Sequence, residues 1–236
     1  MIDMPMYYYP MFDSTYLIYV LIPLLISMWA SARVNSTFKK YSTYTTQKGV
    51  AASQVTRMIL DRAGLNNVEI ERVGGNLTDH FDPRTNVIRL SQSVYDSTSV
   101  AAIGVAAHEA GHAMQYAKGY MPIKLRNFLV PVVNFSSRLA MPLILLGFFM
   151  ELGGLVDFAI ILYGAVVLFS LITLPVELNA SKRALAVLGE YGALTLEETG
   201  AAKKVLGAAA MTYVASMLAA LGSFIRILTL FGRRND

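Results

Sequence analysis

The chain has 236 residues, of which 55% are hydrophobic and only 15% charged, with a formal net charge of +4. An ordinary soluble domain carries about a quarter charged residues, so this composition excludes a soluble globular protein, a disordered chain and a coiled coil. The absence of cysteine removes disulfides, thiolate metal sites and a cysteine nucleophile, and in a membrane protein a small basic excess reads as a topology signal, not as a nucleic-acid footprint.

Uncharged stretches mark the membrane. Nineteen uncharged residues separate Asp13 from Arg33, close to the ~20 that cross a hydrocarbon core. Trp29 and Tyr7-Tyr8-Tyr9 lie near the two ends, where interfacial aromatics sit. A second run of 19 extends from Phe158 to Val176. Ahead of it, Leu139 to Met150 is apolar but short. Phe128 to Ser137 extends it to full length if Arg138 snorkels or pairs. Gly153-Gly154 then predicts a tight turn that makes these two spans a hairpin. Between Lys204 and Arg226, 21 uncharged residues rich in Ala and Gly read as a fourth span or as a re-entrant or interfacial helix.

Charge sets the expected orientation. Arg33, Lys39, Lys40 and Lys48 follow the first span, and Lys182, Arg183, Lys203 and Lys204 follow the third. The hairpin turn carries Glu151 and Asp157. The positive-inside rule then puts the N-terminus outside and residues 34–126 in the cytoplasm. Arg233-Arg234 argues against a fourth crossing that would leave them outside.

The soluble insert, residues 35–126, mixes charge, turns and β-branched residues. Gly49 to Ala63 predicts an amphipathic helix with Val50, Val55, Ile59 and Leu60 on one side and Gly64 as its stop. Asn67 to Val73 and Asn86 to Ser91 predict strands, separated by turns at Gly74-Gly75-Asn76 and Asp82-Pro83-Arg84. Ser99 to about Ala117 predicts a further helix. The expected organisation is an anchor (1–34), the insert (35–126), a transmembrane hairpin (127–178), a cytoplasmic segment (179–204) and a C-terminal apolar helix (205–236). Glu190, Glu197 and Glu198 read as solvated residues of a charged loop.

The last helix of the insert carries His108-Glu109-Ala110-Gly111-His112, an H-E-x-x-H sequence. Four residues of α-helix advance about 6 Å and 400°, so both imidazoles lie on one face and can reach one Zn²⁺. Glu109 is rotated off the pair, placed to act as general base on a zinc-activated water. A catalytic zinc needs a third protein ligand and an open position. A third histidine six residues on is missing, because Lys118 stands there. The candidates are His80, Glu151, Asp157, Glu177, Glu190, Glu197 and Glu198. Glu151 and Asp157 are expected on the far side of the membrane, whereas the hairpin returns Glu177 to the motif's side, just after Pro175 in an apolar helix. One zinc per chain on His108, His112 and Glu177 is therefore expected, with His80 in a structural or rim role. The strand Asn86 to Ser91 reads equally as a packed strand or as one that pairs with an extended peptide.

The pairing of His108-Glu-Ala-Gly-His112 with Glu177-Leu-Asn-Ala-Ser181 resembles the gluzincin membrane proteases of the HtpX and CAAX-prenyl type. Their second motif is Glu-x-x-Ala-Asp. Here Ser181 replaces the aspartate and can serve only as a neutral hydrogen-bonder. Leu77-Thr-Asp-His-Phe-Asp-Pro-Arg84, Val87 to Ser91, Gly104 to His112, Leu129 to Asn134 and Leu174 to Ser181 are similar to the YugP-type bacterial membrane proteins, described as neutral zinc metallopeptidases. That resemblance implies a mostly α membrane protein with three or four transmembrane helices and a small α+β, zincin-like cytoplasmic insert. It implies a multi-pass zinc endopeptidase of the bacterial inner membrane, with its active site on the cytoplasmic side. Its expected partners are the lipid bilayer and a peptide or membrane-protein substrate, and not nucleic acid. Two other readings compete. An intramembrane protease of the site-2 type lacks its Leu-Asp-Gly motif here. A non-enzymatic membrane adaptor or protease-complex partner with a structural zinc would need no base at position 109.

Overall fold

The structure, a computed structural model, describes residues 14–231. Tyr7-Tyr8-Tyr9 and Arg233-Arg234 lie outside the described residues. In chain order the elements are α1 (Ser14–Ser42), α2 (Ala52–Arg62), β1 (Glu69–Val73), β2 (His80–Asp82), β3 (Val87–Ser91), α3 (Val100–Ala117), α4 (Met121–Phe149), α5 (Gly153–Glu190) and α6 (Leu196–Phe231). The helices α1, α4, α5 and α6 are each long and apolar enough to cross a membrane. The chain is thus a mostly α membrane protein with a small α+β part. Large apolar side chains stand exposed along these helices, including Leu25 (55%), Phe128 (70%) and Ile161 (70%). Such surface is unfavourable in water and suited to lipid.

The helices are longer than the apolar runs. Helix α5 continues past Val176 to Glu190, so Glu177 to Ser181 lie within it. The charged loop expected around Glu190 shrinks to residues 191–195, because Glu and Lys are good helix formers and charge alone does not stop a helix. Glu190 and Glu197 are exposed helix residues. Glu198 is not simply solvated. Its Oε2 accepts from the Thr195 N–H at 2.8 Å, and its own N–H donates to Thr195 Oγ1 at 3.2 Å, a capping box that starts α6. The hairpin turn falls just before Gly153, at residues 150–152, with Glu151 in the left-handed region (φ 57°). Gly153 and Gly154 open α5 instead.

The described residues form two compact units. One comprises residues 14–29, 129–171 and 214–231. In it, α1 contains a π-helical turn, Leu17–Leu21, that ends one residue short of Pro23. Pro23 has no N–H to give the Tyr19 carbonyl. Gly222 of α6 approaches that carbonyl so closely that a Cβ would stand 2.1 Å from the oxygen. Ile144, Ala159 and Ile227 form the buried cluster here.

The other unit comprises residues 30–128 and 172–213. Its sheet has the order β1-β3-β2, with β1 parallel to β3 and β2 antiparallel to it. The short β2 was invisible in the sequence, since three residues between two turns show no alternation. Ile88 and Leu90 of the central strand are fully buried. Helix α2 supplies Val55, Ile59 and Leu60 to the same core, as its amphipathic pattern predicts. Helix α3 is started by Ser99, whose hydroxyl accepts from the Ala102 N–H at 3.2 Å. The core also draws on Ala184 and Leu188 of α5 and Ala202 and Leu206 of α6. A Cβ on Gly111 would lie 2.5 Å from the Ala180 carbonyl oxygen, so α3 touches α5 backbone to backbone at the H-E-x-x-H sequence.

Candidate active site

Helices α1, α3, α5 and α6 and the segment before β2, all within the second unit, line one cavity of about 190 Å³, whose lining includes Asp79, His108, Glu109, Glu177, Ser181 and Tyr213. The helical spacing of His108 and His112 puts their rings edge to face with centroids 4.7 Å apart. Helix α5 brings Glu177 onto the pair. Its Oε2 stands 3.1 Å from His108 Nε2 and 3.4 Å from His112 Nε2. One ligand atom from each of the three residues lies within 4.8 Å of the other two. Ligands about 2.1 Å from an ion at tetrahedral angles stand about 3.4 Å apart, so this donor set fits a zinc ion. Two neutral imidazoles and one carboxylate, with one position left over, is also the composition of hydrolytic zinc sites.

The outer nitrogens of both rings are held. His108 Nδ1 lies 3.1 Å from Ser181 Oγ. Ser181 thus occupies the supporting position of the missing aspartate as a neutral partner. His112 Nδ1 lies 3.0 Å from Gln115 Oε1. Donor polarity fixes this second pair. Arg183 Nε donates to Asn179 Oδ1 at 2.8 Å, and a guanidinium can only donate. Gln115 Nε2 donates to the same Asn179 Oδ1 at 3.0 Å and to the Val176 carbonyl at 2.8 Å. The Gln115 oxygen must then face His112, whose Nδ1 carries the proton and leaves Nε2 as the free lone pair. Sequence reading missed Gln115 and Asn179, though Gln115 sits one turn beyond His112 on the motif helix. It also missed Arg126, whose guanidinium donates to Glu177 Oε1 at 2.6 Å.

Glu109 points into the cavity and is only 7% exposed. Its Oε2 accepts the Phe81 N–H at 3.0 Å. Burial pushes its carboxyl up to about 7; the negative charges of Glu177 and Asp79 add to this, while His108 and the Phe81 N–H oppose it. In the sequence, Asp79 stands out only as part of the Leu77-to-Arg84 segment. Its two oxygens accept the N–H and hydroxyl of Ser91 at 2.8 and 2.9 Å, tying the approach to β2 onto the end of β3. Burial raises its carboxyl as well.

Other candidates fall elsewhere. His80 is exposed, with Nδ1 2.9 Å from the Thr78 carbonyl. Glu151 and Asp157 belong to the first unit. The strand β3 is central and paired on both sides, so it has no edge to offer a peptide. Of the two edge strands, β1 and β2, it is β2 whose Phe81 N–H donates to Glu109 Oε2.

Comparison with known proteins identifies the family. The family described as "Putative neutral zinc metallopeptidase" matches residues 16–232. The protein named "Putative membrane protease YugP" from Bacillus subtilis (strain 168) is 44% identical over 211 residues, covering 89% of this chain and 94% of that protein. No solved structure shows significant similarity. A match over nearly the whole length, together with the relative's close identity, shows that the chain belongs to this zinc metallopeptidase family.

Proposed function

We propose that the chain is a membrane-embedded zinc-dependent endopeptidase that hydrolyses peptide bonds of membrane proteins or peptides at the cytoplasmic face. The observation that carries this reading is the convergence of His108, His112 and Glu177 ligand atoms within 4.8 Å, with the buried carboxylate of Glu109 lining the same cavity. Zinc, when bound, supplies a Lewis acid that polarises a carbonyl and lowers the pKa of water toward about 7. The chain's own residues do the rest. Ser181 and Gln115 hold the two imidazoles with Nε2 turned toward Glu177 Oε2, where the three residues would hold the ion. The Phe81 N–H holds Glu109 Oε2, which leaves Oε1 to take the proton of the attacking water and later deliver it to the leaving amine. The basic residues that flank the spans, and the acidic hairpin turn, support the cytoplasmic assignment.

The test is Glu109→Gln. It preserves size and most hydrogen bonding and removes the base. Zinc content and melting temperature are expected to stay near wild type while cleavage of a peptide library falls about 10²–10⁴-fold. Equal cleavage by wild type and Glu109→Gln would reject the mechanism. If wild type cuts nothing and His108→Ala disrupts folding or a protein complex, the metal serves architecture and the adaptor reading replaces this one.

A further inference from the structure

Glu177 gives its two oxygens to different partners. Oε2 is the atom that faces both imidazole Nε2 atoms, at 3.1 and 3.4 Å. Oε1 accepts from Arg126 at 2.6 Å. The carboxylate side chain is 5% exposed and the arginine 22%, so bulk water competes little for either oxygen. Arg126 comes from the first turns of α4, beyond the motif helix, and is not part of the H-E-x-x-H or Glu177-to-Ser181 sequences.

We infer that Arg126 is a positioning residue that keeps Glu177 a one-oxygen ligand. The inference rests on the proposed metal centre of His108, His112 and Glu177. A carboxylate can offer a metal one oxygen or two. If Glu177 offered both, its second oxygen would fill the position that a hydrolytic site keeps open. The guanidinium occupies Oε1 with a charge-assisted hydrogen bond, shorter and about twice as strong as a neutral one. Arginine suits this duty because it stays protonated at any working pH and its donors lie in a rigid plane.

The experiment uses the full chain in detergent, as wild type, Arg126→Gln, Arg126→Lys, Glu177→Gln and the double variant Arg126→Gln/Glu177→Gln. Zinc affinity is measured by competition with a chromophoric chelator. Coordination number is read from the visible spectrum of the cobalt-substituted protein, whose bands are intense at four-coordinate and weaker at five-coordinate sites. Arg126→Gln is expected to bind zinc about 10–100-fold more weakly, the usual cost of losing a partner of a metal ligand, and to shift cobalt toward the weaker bands. Arg126→Lys, a point charge without the planar fork, is expected to fall between the two. In the Glu177→Gln background the arginine substitution is expected to change affinity no further. Wild-type affinity with an unchanged cobalt spectrum in Arg126→Gln would overturn the inference and leave the metal centre standing. So would an equal loss in both backgrounds, since Arg126 would then act other than through Glu177. A wild-type protein that takes up neither ion would remove the metal centre itself, and this inference with it. Should Arg126→Gln fail to fold, Arg126→Lys carries the same two measurements.

Discussion

At the scale of single residues, the site is a set of groups whose hydrogen bonds are nearly all spoken for. His112 is oriented by Gln115, Gln115 by Asn179, and Asn179 by Arg183. Gln115 is fully buried, so its loss strands several polar groups away from water. Gln115→Leu, of similar volume, is expected to weaken zinc binding about 10–100-fold, measured by chelator competition, and to lower the melting temperature. Glu177→Ala removes a ligand outright. Purified wild type is expected to hold about one zinc per chain and Glu177→Ala far less by elemental analysis. Full occupancy in that variant would return His80 or Glu190 to contention. The motif histidines and Glu109 were legible because helical spacing alone puts them together. Gln115, Asn179 and Arg126 were not, because their roles depend on which atoms of another helix they meet.

Among elements, the contact of α3 with α5 decides whether a metal site exists. Gly111 lets the two backbones approach, and the Ala180 carbonyl occupies the space a side chain would need, 2.5 Å from a Cβ. Gly104, two turns earlier on the same helix, is different. A Cβ there would meet Ala202 Cβ at 3.5 Å, an ordinary contact. The two glycines therefore separate helix propensity from packing. Gly104→Ala is expected to be neutral or to stabilise by up to about 1 kcal/mol, the propensity difference between Gly and Ala. Gly111→Ala is expected to destabilise by about 1–3 kcal/mol, as overpacking does, and to lower zinc occupancy by pushing Glu177 away from the histidines. Thermal melts and metal analysis of the two variants check this. Similar behaviour of the pair would show that the close approach at Gly111 does not govern the site. The sheet carries a related lesson. The predicted strand Asn86 to Ser91 is present as β3, but its place in the middle of the sheet depends on the three-residue β2.

For the whole molecule, four helices suit a bilayer, and flanking charge is what orients them. Basic residues cluster after the first and third spans, and the hairpin turn carries Glu151 and Asp157. A reporter fused within residues 36–47 is expected to read cytoplasmic, and one at Gly153 external. The reverse pattern at both positions would put the active site outside the cell. With α6 as a further span, a reporter after Phe231 is expected to read external, which would mean that Arg233-Arg234 does not outweigh the charges upstream.

The sequence by itself determined the membrane character, the approximate spans, the motif helix and two of the three metal-ligating candidates. Each rests on a local property: uninterrupted hydrophobicity, a 3.6-residue period, or ligands one turn apart. It also singled out Glu177, because a hairpin that leaves and returns must bring the end of its second helix back to the side it started from. Only the tertiary structure decided which oxygen of Glu177 faces the histidines, what holds the other, and which of the sheet's two edges faces Glu109. Those outcomes depend on the close approach of helices far apart in the chain, such as Gly111 against Ala180. Nothing in the composition or period of either helix encodes that distance.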